Sequence, residues 1–295
     1  MISLRRTLPV LLAAAVAFGA TGASAGGTRP IVVELYTSQG CSSCPPADAL
    51  LGRLAQRPGV IAITLPITYW DMLGWKDTLA SEANTRRQKA YAAAMGHGGV
   101  YTPQIVIDGV TDVVGSRAGN VEAAIAQRRA MLIQGAAIAS ARADVARAAA
   151  DVAKAESASG LVGASLPVAP PAPPAWPAEP QVNVAVTQSP QEMLIDIGAA
   201  PGARNATVWM FHLRASVAVN IPAGENQGHT ITYHNVVGDV KAVGVYKGRA
   251  LTLTLPRAAM AGLPHDGVAV IVQQGGYGPV IGAAYVSRPD YYARQ

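Results

Sequence analysis

Cysteine is nearly absent from this chain, with two residues in 295. An exported protein stapled by disulfides carries several cysteine pairs spread along its length, so a disulfide framework is excluded. Charge is also sparse, at 14% of residues. Without Arg5 and Arg6 the balance of 23 basic and 18 acidic residues becomes 21 and 18, a net charge of +3. The basic residues do not cluster, so no nucleic-acid footprint is present. Beyond the first stretch no segment has the roughly 20 uninterrupted apolar residues that a membrane-spanning helix needs, so no stable membrane insertion is expected.

The first stretch has its own logic. Arg5 and Arg6 precede an apolar run from Leu8 to Ala20, and Ala23-Ser24-Ala25 follows. A short positive region, an apolar run too short to span a bilayer and a small-x-small site describe a signal peptide. Residues 1–25 are read as that peptide, cleaved after Ala25, which places the mature protein in the periplasm or outside the cell.

Both cysteines fall in Cys41-Ser42-Ser43-Cys44. A disulfide across so small a loop constrains the unfolded chain little. The pair is better explained by chemistry than by stability.

Around it the pattern is regular. Ile31 to Tyr36 reads as a strand, Thr37 to Gly40 as a turn and Cys41 to about Gln56 as a helix that opens at Cys41, with Pro45 and Pro46 suited to its first turn. Val60 to Thr68 is a second, nearly unbroken apolar strand. Ser81 to Met95 reads as a helix ended by Gly96. Ile105, Val106 and Ile107 lead into Asp108-Gly109, a type I′ hairpin signal. Asn120 is read as the cap of a last helix through Met131. This order, strand-helix-strand-helix-strand-strand-helix, is the thioredoxin order, and residues 26–135 are expected to form an α/β thioredoxin-like domain. Residues 136–180 read as an alanine-rich helix and a proline-rich, stiff linker. Residues 181–295 are expected to form an all-β, antiparallel, sandwich-like domain. Its runs are Val182–Val186, Val208–Leu213, Thr230–Val237, Leu251–Leu255 and Val268–Val272.

The segment from Glu34 to Asp48, ELYTSQGCSSCPPAD, resembles the signature of a family of exported bacterial proteins classed as thioredoxin-like and of unknown function (DUF1223). Tyr69 to Asp77, Tyr101 to Gln104 and Gly224 to Val237 are similar to further segments of that family. The loop before Tyr69, usually similar to His-Val-Asp in the family, is here Pro66-Ile67-Thr68. The Ala/Pro stretch from about 136 to 180 looks like an insertion. The resemblance implies a thioredoxin-like fold and a dithiol site. It also implies that Pro103 is cis and faces that dithiol, with Thr102 presenting backbone to an extended substrate. It supplies no substrate.

The chemistry follows from position. A thiolate attacks a disulfide, and a cysteine beside the free N–H groups of a helix N-terminus is acidified. Cys41 is therefore read as the attacking, accessible thiol and Cys44 as the sheltered, resolving one. Glu34, inside an apolar run, is a candidate proton relay to Cys44 if buried, or a strand-edge residue reaching water. Trp70 and Trp75 lie in the loop after the second strand, where they line a peptide groove or cover the core. Glu225, Asn226 and Gly228 read as a turn. No metal site and no cofactor is expected. The pair is not half of a zinc site, since no second cysteine pair exists, and His229 and His234 fall on opposite faces of a strand. His97, His212 and His265 are isolated. The leading expectation is a periplasmic thiol–disulfide oxidoreductase acting on an exported protein thiol or disulfide. Beside it stand a dithiol that holds or delivers Cu(I), and a non-catalytic interaction protein with an idle disulfide.

Overall fold

The computed structural model describes residues 28–159, 179–189, 191–256 and 266–287. The expected signal peptide, most of the proline-rich stretch and His265 lie outside them.

Two fully buried strands, β1 (Ile31–Thr37) and β2 (Val60–Pro66), run parallel in register from Ile31↔Val60 to Thr37↔Pro66. Between them the chain forms α1 (Pro45–Leu54), and after β2 it forms α2 (Glu82–Ala94). The side chain of Ser81 accepts from Asn84 N and caps α2, satisfying an N–H that the helix itself cannot. The hairpin of β3 (Gln104–Ile107) and β4 (Thr111–Val114) adds antiparallel to the other edge of β1. Asp108 and Gly109 both take positive φ, 52° and 69°, as a type I′ turn requires.

One helix, α3 (Ala118–Ser159), follows. The sequence pattern predicts two helices here, the first capped by Asn120. Asn120 instead lies in the first turn of α3, and the helix runs through Gly135. A single interior glycine costs only about 1 kcal/mol in a helix, too little to break an alanine-rich run. The half beyond Gly135 is largely exposed.

The C-terminal half contributes β5 (Val184–Gln188), β6 (Glu192–Ile197), β7 (Ala206–Asn220), β8 (Thr230–Tyr246), β9 (Leu251–Pro256), β10 (Gly267–Gln274) and β11 (Val280–Ser287). Five overlap the runs read from sequence; β6 and β11 were not anticipated. The strands do not build a unit of their own. β7, β8, β10 and β11 continue the N-terminal sheet, giving the order β11-β10-β7-β8-β2-β1-β3-β4. The junction is the parallel pairing Thr64↔Val236. The sheet curls until Val280 N donates to Asp108 O at 2.8 Å. Only β5, β6 and β9 form a separate antiparallel sheet, packed against β7, β10 and β11 through Met193, Ile195, Val208, Val270 and Ile281. The fold is thus mixed α/β, with one large sheet and one small antiparallel sheet.

This corrects the expectation of two separately cored domains. Alternate residues of β1 face opposite ways. Ile31, Val33 and Leu35 pack on α1 and α3, with Leu50, Leu51, Val121 and Ile125. Val32 and Tyr36 pack into a second core with Tyr91 of α2 and with Phe211, Leu213, Ala269, Ile271 and Val280 from the C-terminal half. Glu34 lies on this second face, 1% exposed. Arg87 donates to both its oxygens at 2.6 and 2.9 Å, and the hydroxyls of Tyr91 and Tyr36 donate at 2.6 and 3.1 Å. Arg87 also donates to Gln273 Oε1 at 3.0 Å. Its guanidinium lies 5.0–5.6 Å from the ring centres of Tyr91, Trp209, Phe211 and Tyr277. Burial first, and then the Glu34 carboxylate, hold the Tyr36 and Tyr91 hydroxyls protonated far above their usual range.

Removing one partner of a buried ion pair leaves an uncompensated charge, at a cost of about 3–5 kcal/mol. Glu34→Ala should therefore lower the unfolding free energy by roughly that amount. Both halves should unfold in one transition, with fluorescence and far-ultraviolet circular dichroism melting together. Two separated transitions in the wild-type protein would contradict the shared core.

Candidate functional site

The polypeptide leaves β1 at Thr37 and turns at once. Cys41 N donates to Ser38 O at 3.2 Å and Cys44 N to Cys41 O at 3.1 Å. Helix α1 begins at Pro45 with Cys44 as its N-cap, so Cys41 precedes the helix by a turn rather than opening it. Pro45 and Pro46 occupy the first helical positions, where the missing N–H has no intrahelical partner to lose. Cys41 and Cys44 form a disulfide, with Cα atoms 5.4 Å apart. Ser43 Oγ stands 3.4 Å from Cys41 Sγ.

The accessibility expected of Cys41 is not found: it is 1% exposed and Cys44 is 0% exposed. Trp70 lies against Gly40 beside the pair, and the C-terminal half also reaches the motif. Beyond the large sheet, the far half of β7 and the near half of β8 project as a hairpin whose tip reaches the cysteine motif. Asn226 Nδ2 donates to Gln39 O and Cys41 O, both at 2.9 Å. Glu225 Oε2 accepts from Ser42 N at 3.0 Å, and these bonds to Ser42 hold its carboxyl below the usual range. Gly224 (φ 84°) and Gly228 (φ 82°) supply the left-handed backbone of the tip. Sequence reading gave Glu225, Asn226 and Gly228 a turn; their grip on the motif spans more than 180 residues and has no local signature.

The loop after β2 braces the motif from the other side. Asp77 accepts from Gln39 N, Leu79 N and Ala80 N. Trp75 Nε1 donates to Gln39 Oε1 at 2.8 Å, and its ring packs with Ile221, Ile231 and Tyr233 of the hairpin. Trp70 packs against the shared core and donates to Thr102 Oγ1 at 2.7 Å. The Thr102–Pro103 bond is cis. Its flanks are pinned by Asp112, which accepts from Tyr101 at 2.7 Å and Gln104 at 2.8 Å. Two of the segments similar to the family, the loop after β2 and the hairpin tip, thus hold the cysteine motif, and Thr102 is linked to it through Trp70, which lies against Gly40.

Glu34 does not belong to this site. It lies on the face of β1 opposite α1, and its carboxylate is engaged by Arg87, Tyr91 and Tyr36. The relay reading is overturned because period-2 alternation sends position 34 away from the helix that carries Cys44. The buried acid on the helix that Cys44 caps is Asp48 instead. It is 2% exposed, one helical turn beyond Cys44, and its N–H donates to Cys44 O at 3.1 Å. Burial pushes its carboxyl up from 3.8 to about 8; the Thr37 hydroxyl opposes this and the Asp77 charge adds to it. Burial, then Asp48 and Asp77, also raises the Tyr233 hydroxyl. Its sequence signal is an acid on the same helical stripe as Ala47, Leu51 and Leu54.

Along α1 and the hairpin runs an open cleft of about 670 Å³, lined by Ser42, Pro46, Ala49, Thr230, Thr232 and His234 among others. His97 is paired with Asp112 at 2.8 Å, and His212 lies 3.8 Å from Asp239. Among the described residues no three His, Cys, Asp or Glu side chains are grouped to hold a metal ion, and no helix is long and apolar enough to cross a membrane.

These features define a mixed α/β protein with a C-x-x-C disulfide where its first helix begins. The chain belongs to the family described as a protein of unknown function (DUF1223), which matches residues 32–170 and 172–273. It is similar to the crystal structure of protein AGR_C_4864 from Agrobacterium tumefaciens. That match has 28% identity and a TM-score of 0.65, over 90% of this chain and 97% of that one. A fainter likeness is to HBP35 of Porphyromonas gingivalis, at 11% identity and a TM-score of 0.50, over 88% of this chain and 76% of that one. No curated protein matches.

Two outcomes follow. Between pH 4 and 8 the unfolded chain loses a proton that folded Asp48 keeps, so its contribution to stability falls as pH rises, by at most about 1.4 kcal/mol per pH unit. Asp48→Asn removes this slope, so the variant should gain on the wild type between pH 5 and 7.5 in denaturant titrations; parallel curves would refute the raised pKa. Asn226→Ala breaks both bonds to the motif and should speed reduction of the disulfide by dithiothreitol about tenfold, the worth of one or two hydrogen bonds. An unchanged rate would mean that the tip does not control access.

Proposed function

We propose that this protein is a thiol–disulfide oxidoreductase of the bacterial cell envelope, exchanging Cys41–Cys44 with thiols or disulfides of exported proteins. The observation that carries the reading is the disulfide at the start of α1 with the buried acid Asp48 one turn beyond Cys44. The strand order β2-β1-β3-β4, with β1 and β2 parallel and the hairpin antiparallel, supports a thioredoxin-like unit inside the larger sheet. Export rests on the signal-peptide pattern of residues 1–25.

The chemistry balances without a cofactor. A partner thiolate attacks Cys41 Sγ, the Cys41–Cys44 bond breaks, and Cys44 leaves as a thiolate that takes the Asp48 proton. In the return step the Asp48 carboxylate accepts the Cys44 proton, and the Cys44 thiolate attacks the mixed disulfide to release the partner. With a pKa of about 8, Asp48 can act in either direction near neutral pH.

Cys41→Ser should abolish exchange with a model protein disulfide. Cys44→Ser should accumulate a mixed disulfide through Cys41, detected by mass spectrometry. Exchange that persists in both variants would remove the assignment.

A further inference from the structure

The projecting half of β8 leaves one edge unpaired beside the disulfide. In an antiparallel pair the N–H and C=O of successive residues point alternately toward and away from the partner. Ile221 N donates to His229 O at 2.9 Å on the β7 side. Thr64 Oγ1 donates to His234 O at 2.7 Å on the other side. Both observations give the same phase: positions 229, 231 and 233 bond toward β7, and positions 230, 232 and 234 point away. On that outer side β8 meets β2 only at Thr64↔Val236, after Asn235 has turned the chain with φ 47°. Among the described residues no strand pairs with the outward groups of Thr230 and Thr232. These groups lie along the cleft whose opposite wall is Pro46 and Ala49 of α1 and whose end is Ser42, next to Cys41.

We propose that this edge docks an extended polypeptide segment, which adds as a strand along Thr230 and Thr232 of β8, within the cleft, and delivers its cysteine to Cys41. This rests on the oxidoreductase reading and adds its substrate class. Two successive outward pairs of backbone donors and acceptors are matched by another backbone, as in strand addition. Such an edge is otherwise an aggregation hazard that folded proteins cover. No Lys, Arg, Asp or Glu lines the cleft. No fixed charge there rewards a charged side chain, so the probe segment is flanked by uncharged residues. The thiolate of the segment attacks Cys41 Sγ and Cys44 leaves as a thiolate. A second thiol of the segment then attacks its own sulfur in the mixed disulfide and releases Cys41. Two electrons pass from the segment to the pair.

The test uses the full-length oxidised protein with dithiothreitol, with a short two-cysteine peptide flanked by Ser and Val, and with that peptide N-methylated at alternate backbone positions in each of the two registers. Methylation in one register should slow exchange about tenfold, since it removes one or two backbone hydrogen bonds, and methylation in the other should not. Thr232→Pro removes an N–H that points away from β7, so the β7–β8 ladder keeps its bonds. It should lower the ratio of peptide rate to dithiothreitol rate by a similar factor, with the melting temperature confirming the fold. Equal rates for both methylated registers, or an unchanged ratio in Thr232→Pro, would overturn strand docking while leaving the redox assignment standing. A wild-type disulfide that exchanges with neither dithiothreitol nor peptide would remove the redox assignment, and the docking edge with it.

Discussion

The ion pair between Glu34 and Arg87 is the interaction on which the rest of the architecture depends. A buried carboxylate and guanidinium are costly unless other groups meet their remaining donors and acceptors. Here Tyr36 from β1, Tyr91 from α2 and Gln273 from β10 supply hydrogen bonds, while Arg87 Nη1 has no hydrogen-bond partner among the described residues and the cation is ringed by aromatic faces from β7 and from the turn after β10. The N-terminal half supplies both charges, and the C-terminal half supplies much of the cage. Neither half can bury its share alone, and a single curled sheet follows.

That union makes the site composite. With β8 joined to β2, the β7–β8 hairpin is long enough to project past the sheet and lay its tip on the cysteine motif. Asn226 and Glu225 satisfy Gln39 O, Cys41 O and Ser42 N, polar groups of a loop that would otherwise turn to water. The hairpin tip on the motif and the cleft beside it are therefore products of the C-terminal half, and the disulfide alone is not the whole site.

Asp48 shows how the environment sets chemistry. The same carboxyl on an exposed helical turn would be ionised at neutral pH. Enclosed by α1, Thr37, Asp77 and Tyr233, it holds its proton to about pH 8. Glu34 is just as buried, yet it meets a fixed cation and is committed to structure. Two buried acids in one protein differ in protonation because one faces a fixed cation and the other faces only a second acid.

Much of this was legible in the chain. The apolar runs of β1 and β2, the Asp108-Gly109 turn and the C-x-x-C before a helix beginning Pro45-Pro46 are local signals, fixed by backbone sterics and short-range periodicity. For Glu34 the sequence leaves burial and a water-reaching strand edge equally open, and its partners, 53 and more residues away for Arg87 and Tyr91, leave no local signal. The expectation of a separate β domain fails for the same reason, since β-strands read alike whether they close a sheet of their own or extend another. The sequence by itself determined where the dithiol sits, which elements flank it and how each strand alternates. The tertiary structure alone decided that β8 would pair with β2, that a distant hairpin would reach Cys41, and that Glu34 would pair with Arg87 while Asp48 stayed buried on the helix that Cys44 caps. Those outcomes depend on long-range burial and charge pairing, which leave no periodicity in the chain to read.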